Sequence, residues 1–217
     1  TPLSFNRKMV RASASVSKRK NTIHAVTEVE ITEPRRLIRE HLTATGEKLS
    51  FTGYIVCCLA QTLKAYPELN SFIRRGRLIL LDDIIISVLI EREIEGESVP
   101  EPYIVREAHK KSYRQISSEI RTAQGISSDR IGSLTGSSWI NIIPGFLLRA
   151  FVSIADRNIK MAKLYGKVAV TAAGMYGDDS LWFIPHGSAT VLVTIGSINN
   201  KVVKTENGFD TREHLCL

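Results

Sequence analysis

Residues Gly166 to Ile198 read GKVAVTAAGMYGDDSLWFIPHGSATVLVTIGSI: two apolar runs joined by a Gly-rich stretch. Lys167 to Thr171 and Ala189 to Ile198 are short and rich in Val, Ile and Thr, the composition of buried strands. Lys201 to Lys204 reads as a further strand, and Glu206-Asn207-Gly208 as a turn after it. Upstream, Ile140 to Leu164 is apolar at many positions, with Pro144 near a helix start and Arg149 interrupting the run. It is too short to span a bilayer, and the choice lies between burial on the domain's own sheet and a membrane-surface or partner-docking helix.

Further out, the signals alternate between helix and strand. The first 20 residues suit a short helix crossing the outside of the domain. Thr22 to Ile31 alternates loosely, with Ile23, Ala25, Val29 and Ile31 on one side, and predicts a strand. Thr32 as N-cap, Glu33 and Pro34 in the first turn and Gly46 at the end delimit a helix whose apolar face carries Leu37, Ile38 and Leu42. A second helix follows Ser50 and runs to Pro67, apolar around much of its circumference and therefore expected to be buried. Arg77 to Leu81 and Ile84 to Ile90 predict a hairpin across Asp82-Asp83, the second strand covered on both faces. Pro100-Glu101-Pro102 favours extended backbone into Tyr103 to Val105, and a polar helix capped by Ser112 runs to about Gln124. Gly125 to Ser138 reads as a mobile loop. The order predicts an α/β sandwich with a mixed, largely buried sheet.

Composition narrows the function. The 217 residues are 43% hydrophobic and 24% charged, enough apolar material for one well-buried core. The net charge of +7 is spread along the chain apart from a few short clusters such as Lys18-Arg19-Lys20. There is no basic helix or aromatic-rich motif to support nucleic-acid binding, whereas a site for an anionic ligand would use the same charge. Cys57, Cys58 and Cys216 form no C-x-x-C and no even framework, pointing to a reducing compartment and no structural metal. Cys57 and Cys58 read as buried fillers. With neither a membrane span nor a signal peptide supported, the expected location is cytoplasmic.

Several segments, taken in order, resemble the catalytic domain of the acyltransferases of 2-oxo acid dehydrogenase complexes. Arg7-Lys8, Ser17-Lys18 and His24 fall where that family shows R-K, S-K and P-H, with Ile23 in place of the Pro. Leu49-Ser50-Phe51-Thr52 and Thr62-Leu63-Lys64-Ala65-Tyr66-Pro67-Glu68-Leu69-Asn70 look like its second-helix signature. Val99-Pro100-Glu101-Pro102-Tyr103-Ile104-Val105-Arg106-Glu107-Ala108 is similar to V-P-V-I-R-D-A, and Val170-Thr171-Ala172-Ala173-Gly174-Met175-Tyr176-Gly177 to V-S-S-L-G-M-F-G. The resemblance implies a chloramphenicol-acetyltransferase-like two-layer sandwich, a single domain over 1–217, and homotrimers or larger assemblies with active sites between subunits. It implies coenzyme A or its acyl thioester as substrate, a lipoyl group carried by a partner protein as acceptor, and no metal.

The resemblance also assigns roles. Thr171 maps onto the hydroxyl that stabilises the oxyanion of the tetrahedral intermediate, although a slip of one residue would put Ala172 there; its alternative role is that of a β-branched strand residue. Lys18 and Arg7 are candidates for the phosphates of coenzyme A or a neighbouring subunit, and a solvated face is the alternative. His186 lies in a family loop and is a candidate ligand contact, while His24 matches a family position where a hydrogen-bonded structural role is commoner. The family's base is a His in a later D-H-x-x-x-D-G motif, and none of His24, His41, His109, His186 and His214 has that context. Glu213 to Leu217 resembles the opening of the strand that delivers it. The expectation is therefore a natural protein that continues, with a catalytically inactive trimer-forming scaffold as the alternative. The match begins at Thr1, and the expectation is a single domain without the family's lipoyl and subunit-binding domains, either because those parts were removed or because this is a stand-alone relative.

Overall fold

The computed structural model describes residues 5–94, 97–125, 145–173, 180–206 and 208–217. Most of the Gly125–Ser138 loop and the start of the 140–164 segment lie outside the described residues.

The core is built where three signals of the sequence meet. Ser50 accepts a hydrogen bond from Gly53 N at 3.2 Å and so starts α3 (Phe51–Ala65) as an N-cap, placing Val56, Ala60 and Leu63 on one stripe. Ser112 and Gln115 cap α4 (Tyr113–Gly125) reciprocally: Gln115 N donates to Ser112 Oγ, and Gln115 Oε1 accepts from Ser112 N at 2.8 Å. The two helices pack together through Gly53, where an added Cβ would sit 3.2 Å from the Ser117 backbone. Their apolar stripes, including Leu63, Ile116 and Ile120, bury against a four-stranded sheet.

That sheet runs β5 (Glu97–Val105), β4 (Ile86–Ile94), β6 (Val168–Ala172), β7 (Val191–Ile195). β5 pairs antiparallel with β4, and β4, β6 and β7 are parallel, so the sheet is mixed as predicted. Alternation puts Val88, Val170 and Val193 toward the helices and Leu89, Thr171 and Thr194 on the other face. Each fully buried Ile or Leu of this core contributes roughly 1.5–3 kcal/mol.

A second, antiparallel sheet joins β1 (Glu28–Glu30), β9 (Gly208–Cys216) and β8 (Ile198–Thr205) in that order, and Leu215 carries it into the same core. Helix α1 (Phe5–Ser17) packs on α5 (Gly145–Asp156), which is followed by α6 (Ile159–Tyr165). Helix α2 (Thr32–Thr45) ends at Gly46 with φ 73°, the left-handed stop its sequence predicts.

Three expectations need correction: the hairpin across Asp82-Asp83, the long strand at 22–31 and the burial of both Cys57 and Cys58. The predicted hairpin across Asp82-Asp83 does not form. β3 (Arg77–Leu80) pairs back onto β2 (Ser71–Arg74) across Arg75 and Gly76, with φ of 50° and 72°, while the following strand joins the central sheet. Only Glu28–Glu30 of the predicted strand 22–31 is a strand: among the described residues no partner strand runs beside residues 22–26, and Ile23 is 95% exposed. Helix α2 buries no residue, so Leu37 and Leu42 are exposed. Of the cysteines, Cys58 is exposed, Cys57 half-buried and Cys216 buried. The 140–164 segment settles mainly as α5 and α6, of which Leu148 and Ala162 are buried while Phe146, Phe151 and Ile154 stay exposed. No helix among the described residues is long and apolar enough to cross a membrane.

Candidate functional site

A groove of about 630 Å³ opens where α1, β7 and two irregular segments meet. One segment is 22–27, the stretch that failed to become a strand. It is held at its end by a reciprocal backbone pair, Thr27 N to Leu217 O at 3.1 Å and Leu217 N to Thr27 O at 3.0 Å. Trp182 Nε1 donates to Thr27 O at 3.1 Å, tying in the second segment, which contributes Phe183 to Gly187. The extended residues thus find partners at one end and leave their side chains to the groove and solvent.

The lining is electrostatically one-sided. Lys18, Lys20, His24 and His186 line the groove, and no Asp or Glu does so among the described residues. Lys20 is engaged elsewhere, its ammonium 2.9 Å from Asp156 Oδ2. The side chains of Lys18, His24 and His186 are exposed and make no hydrogen bond or ion pair among the described residues. A volume in the ordinary range of ligand sites with unopposed cationic groups suits an anionic ligand.

β7 supplies a buried polar group to the groove. Thr194 lines it, is 7% exposed, and its Oγ1 has no hydrogen-bond partner. Thr194 stands in register with Thr171 on the neighbouring parallel strand, so the two hydroxyl-bearing side chains lie on the same face of the sheet. Thr171 is half-buried.

The strand carrying Thr171 is positioned by two devices. Gly166 takes φ 73°, and a Cβ there would lie 2.4 Å from Ile85 O, so only glycine lets the chain enter beside β4. Next to it, Lys167 Nζ donates to Asp156 Oδ1 at 2.7 Å and to Asp156 O at 2.6 Å, and sits 5.2 Å from the Phe72 ring centre. Asp156 therefore holds two ammonium groups, Lys167 and Lys20, which ties the end of α5 to the start of β6 and to the residues after α1. Burial pushes the Asp156 carboxyl up, but the hydrogen bonds from both lysines outweigh it and hold the group below the ordinary range.

Of the residues singled out in the sequence, the fold brings Lys18, His24 and His186 to one groove although His186 stands more than 150 positions from the other two. Thr171 is not part of the groove lining; it lies one strand away, beside Thr194. Arg7 lies in α1, and its side chain is outside the described residues. The other histidines are elsewhere: His41 Nε2 is 2.8 Å from Glu47 Oε2, His109 is in a short turn after β5, and His214 is half-buried on β9. Sequence reasoning missed Thr194 and the Asp156 clamp. The signal for Thr194 was present, a lone hydroxyl in the apolar run Val191 to Ile195. Among the described residues no group of three His, Cys, Asp or Glu is placed to hold a metal ion.

Comparison with known proteins places this geometry. The family model for the 2-oxoacid dehydrogenases acyltransferase (catalytic domain) matches residues 2–135, more than half of the chain. No curated protein sequence matches it. Among solved structures, a dihydrolipoamide acetyltransferase of Azotobacter vinelandii is 15% identical, with TM-score 0.71 over 100% of this chain and 79% of that one. A probable dihydrolipoamide acetyltransferase from Listeria monocytogenes is 20% identical, with TM-score 0.69 over 100% of this chain and 82% of the other. The cubic core of a pyruvate dehydrogenase multienzyme complex is 15% identical, with TM-score 0.68 over 100% and 79%. At these identities the structural likeness speaks for the fold, and it extends through β6 to β9, beyond the reach of the family match. The chain belongs to the 2-oxoacid dehydrogenase acyltransferase family, and its α/β architecture is that of the family's catalytic domain.

Proposed function

We propose that this protein transfers an acyl group between coenzyme A and a thiol acceptor of the dihydrolipoyl type, within a homo-oligomer whose subunits share the active site. The observation that carries this reading is the groove holding Lys18, His24 and His186, lined by no Asp or Glu among the described residues, next to the β6–β7 hydroxyl face. In it the Lys18 ammonium and the ring N–H donors of His24 and His186 take the phosphates of coenzyme A. The Thr171 hydroxyl donates to the carbonyl oxygen of the thioester as that oxygen gains charge in the tetrahedral intermediate. The attacking thiol loses its proton to a base, a role that none of the five histidines is assigned. The oligomer is supported by the multienzyme core among the structural relatives and by exposed apolar side chains such as Phe146, Ile154 and Ile73, which a neighbouring subunit would cover.

The test is incubation with acetyl-CoA and dihydrolipoamide, following free coenzyme A thiol. Release above the rate without protein is the expected result. A protein that assembles and binds coenzyme A but releases no thiol with dihydrolipoamide or another thiol would refute the enzymatic reading and leave a scaffold of the same fold.

A further inference from the structure

Thr194 is costly as it stands. The residue is 7% exposed and its hydroxyl has no hydrogen-bond partner among the described residues, so the group loses its hydration and gains nothing in return, a penalty of roughly 1–3 kcal/mol. Its strand neighbours Val191, Leu192, Val193 and Ile195 are all apolar, so a valine of the same shape would fill the position without that penalty. The side chain also lines the groove.

The groove is graded. Lys18, His24 and His186 are exposed and charged or chargeable, whereas Thr194 is buried, neutral and set among apolar strand residues. A hydroxyl donates one hydrogen bond and can accept two, and a charged phosphate is costly to bury among apolar strand residues, so the fitting partner here is a neutral carbonyl or amide. We propose that Thr194 is a binding residue that receives an amide or carbonyl group on the uncharged arm of the ligand, while the exposed cationic groups receive its anionic end. The proposal rests on the coenzyme A reading and deepens it: the groove selects a ligand with phosphates at one end and an amide-bearing arm at the other. Thr171 keeps its separate place one strand away, at the reacting thioester.

Calorimetric titration of the full chain tests this with two probes, coenzyme A and adenosine 3′,5′-bisphosphate, which has the anionic end without the arm. Thr194→Val should weaken coenzyme A binding about five- to tenfold, the loss of one hydrogen bond, and leave the bisphosphate unchanged. Thr194→Ser should keep coenzyme A affinity within about twofold of the parent. The valine variant should also melt at a higher temperature than the parent in the absence of ligand, since it removes the unpaired hydroxyl. Unchanged coenzyme A affinity in Thr194→Val, or equal weakening of both probes, would overturn the role of Thr194 and leave the coenzyme A reading intact. A parent chain that binds neither probe would overturn both.

Discussion

Replacing Asp156 by alanine removes one carboxylate and strands a charge. The Asp156 side chain is 9% exposed and that of Lys167 7%, so their 2.7 Å contact is a buried pair. In the variant Lys167 would keep only the carbonyl of residue 156, at 2.6 Å, and the Phe72 ring, at 5.2 Å. Breaking a buried pair by deleting one partner costs about 3–5 kcal/mol, because the remaining charge stays desolvated. For a domain of this size that is a fall in Tm of about 6–20 °C. Lys20→Ala should cost far less, about 1 kcal/mol or below, since its side chain is 35% exposed and the pair is screened by solvent. The pH dependence follows from the lowered native value of Asp156. A depressed carboxyl contributes stability that is complete above the ordinary range near pH 4 and is lost as pH falls through the native value, so the gap between parent and variant should narrow below about pH 4. Thermal unfolding followed by circular dichroism at neutral and acid pH measures both effects. A Tm drop under about 2 °C at neutral pH, or a gap that persists unchanged to about pH 2, would refute the account of a buried, charge-paired clamp.

Two other predictions concern the strand this clamp positions. Thr171→Ala should lower kcat for thiol-dependent coenzyme A release about 10²-fold with KM for acetyl-CoA nearly unchanged, and Thr171→Ser should restore most of it; equal activity of the alanine variant would remove Thr171 from catalysis. Gly166→Ala forces a Cβ to within 2.4 Å of Ile85 O at φ 73°, so its denaturation midpoint should fall by an amount equivalent to at least about 2 kcal/mol, and an unshifted midpoint would show that the backbone there can relax.

Much of the local architecture was legible because its causes are local. Ser50 and Ser112 cap helices within three residues of themselves, and Gly46 stops one by its own φ. The apolar runs at 167–171 and 189–198 became β6 and β7 because β-branched residues favour extended backbone wherever they are covered. The misplaced hairpin shows the limit: Asp82-Asp83 and Arg75-Gly76 both suit a turn, and the choice went to the pairing that gave Ile84 to Ile90 cover from the helices. Segment 22–27 shows another, since alternation predicts a strand only where a partner strand arrives.

The candidate site divides in the same way. The resemblance carried by Thr62–Asn70, Val99–Ala108 and Val170–Gly177 pointed to the family, and it named Thr171, Lys18 and His186 as residues of interest. It did not show that Lys18, His24 and His186 share a groove, nor that Thr194 ends buried beside Thr171 with no hydrogen-bond partner among the described residues. The amino-acid sequence by itself determined the elements and the family, because caps, periodicity and motif spacing act over a few residues. Only the tertiary structure decided strand pairing, groove and buried hydroxyl, because each depends on contacts between residues far apart in the chain, where burial and electrostatic surroundings are set by whatever the fold brings alongside.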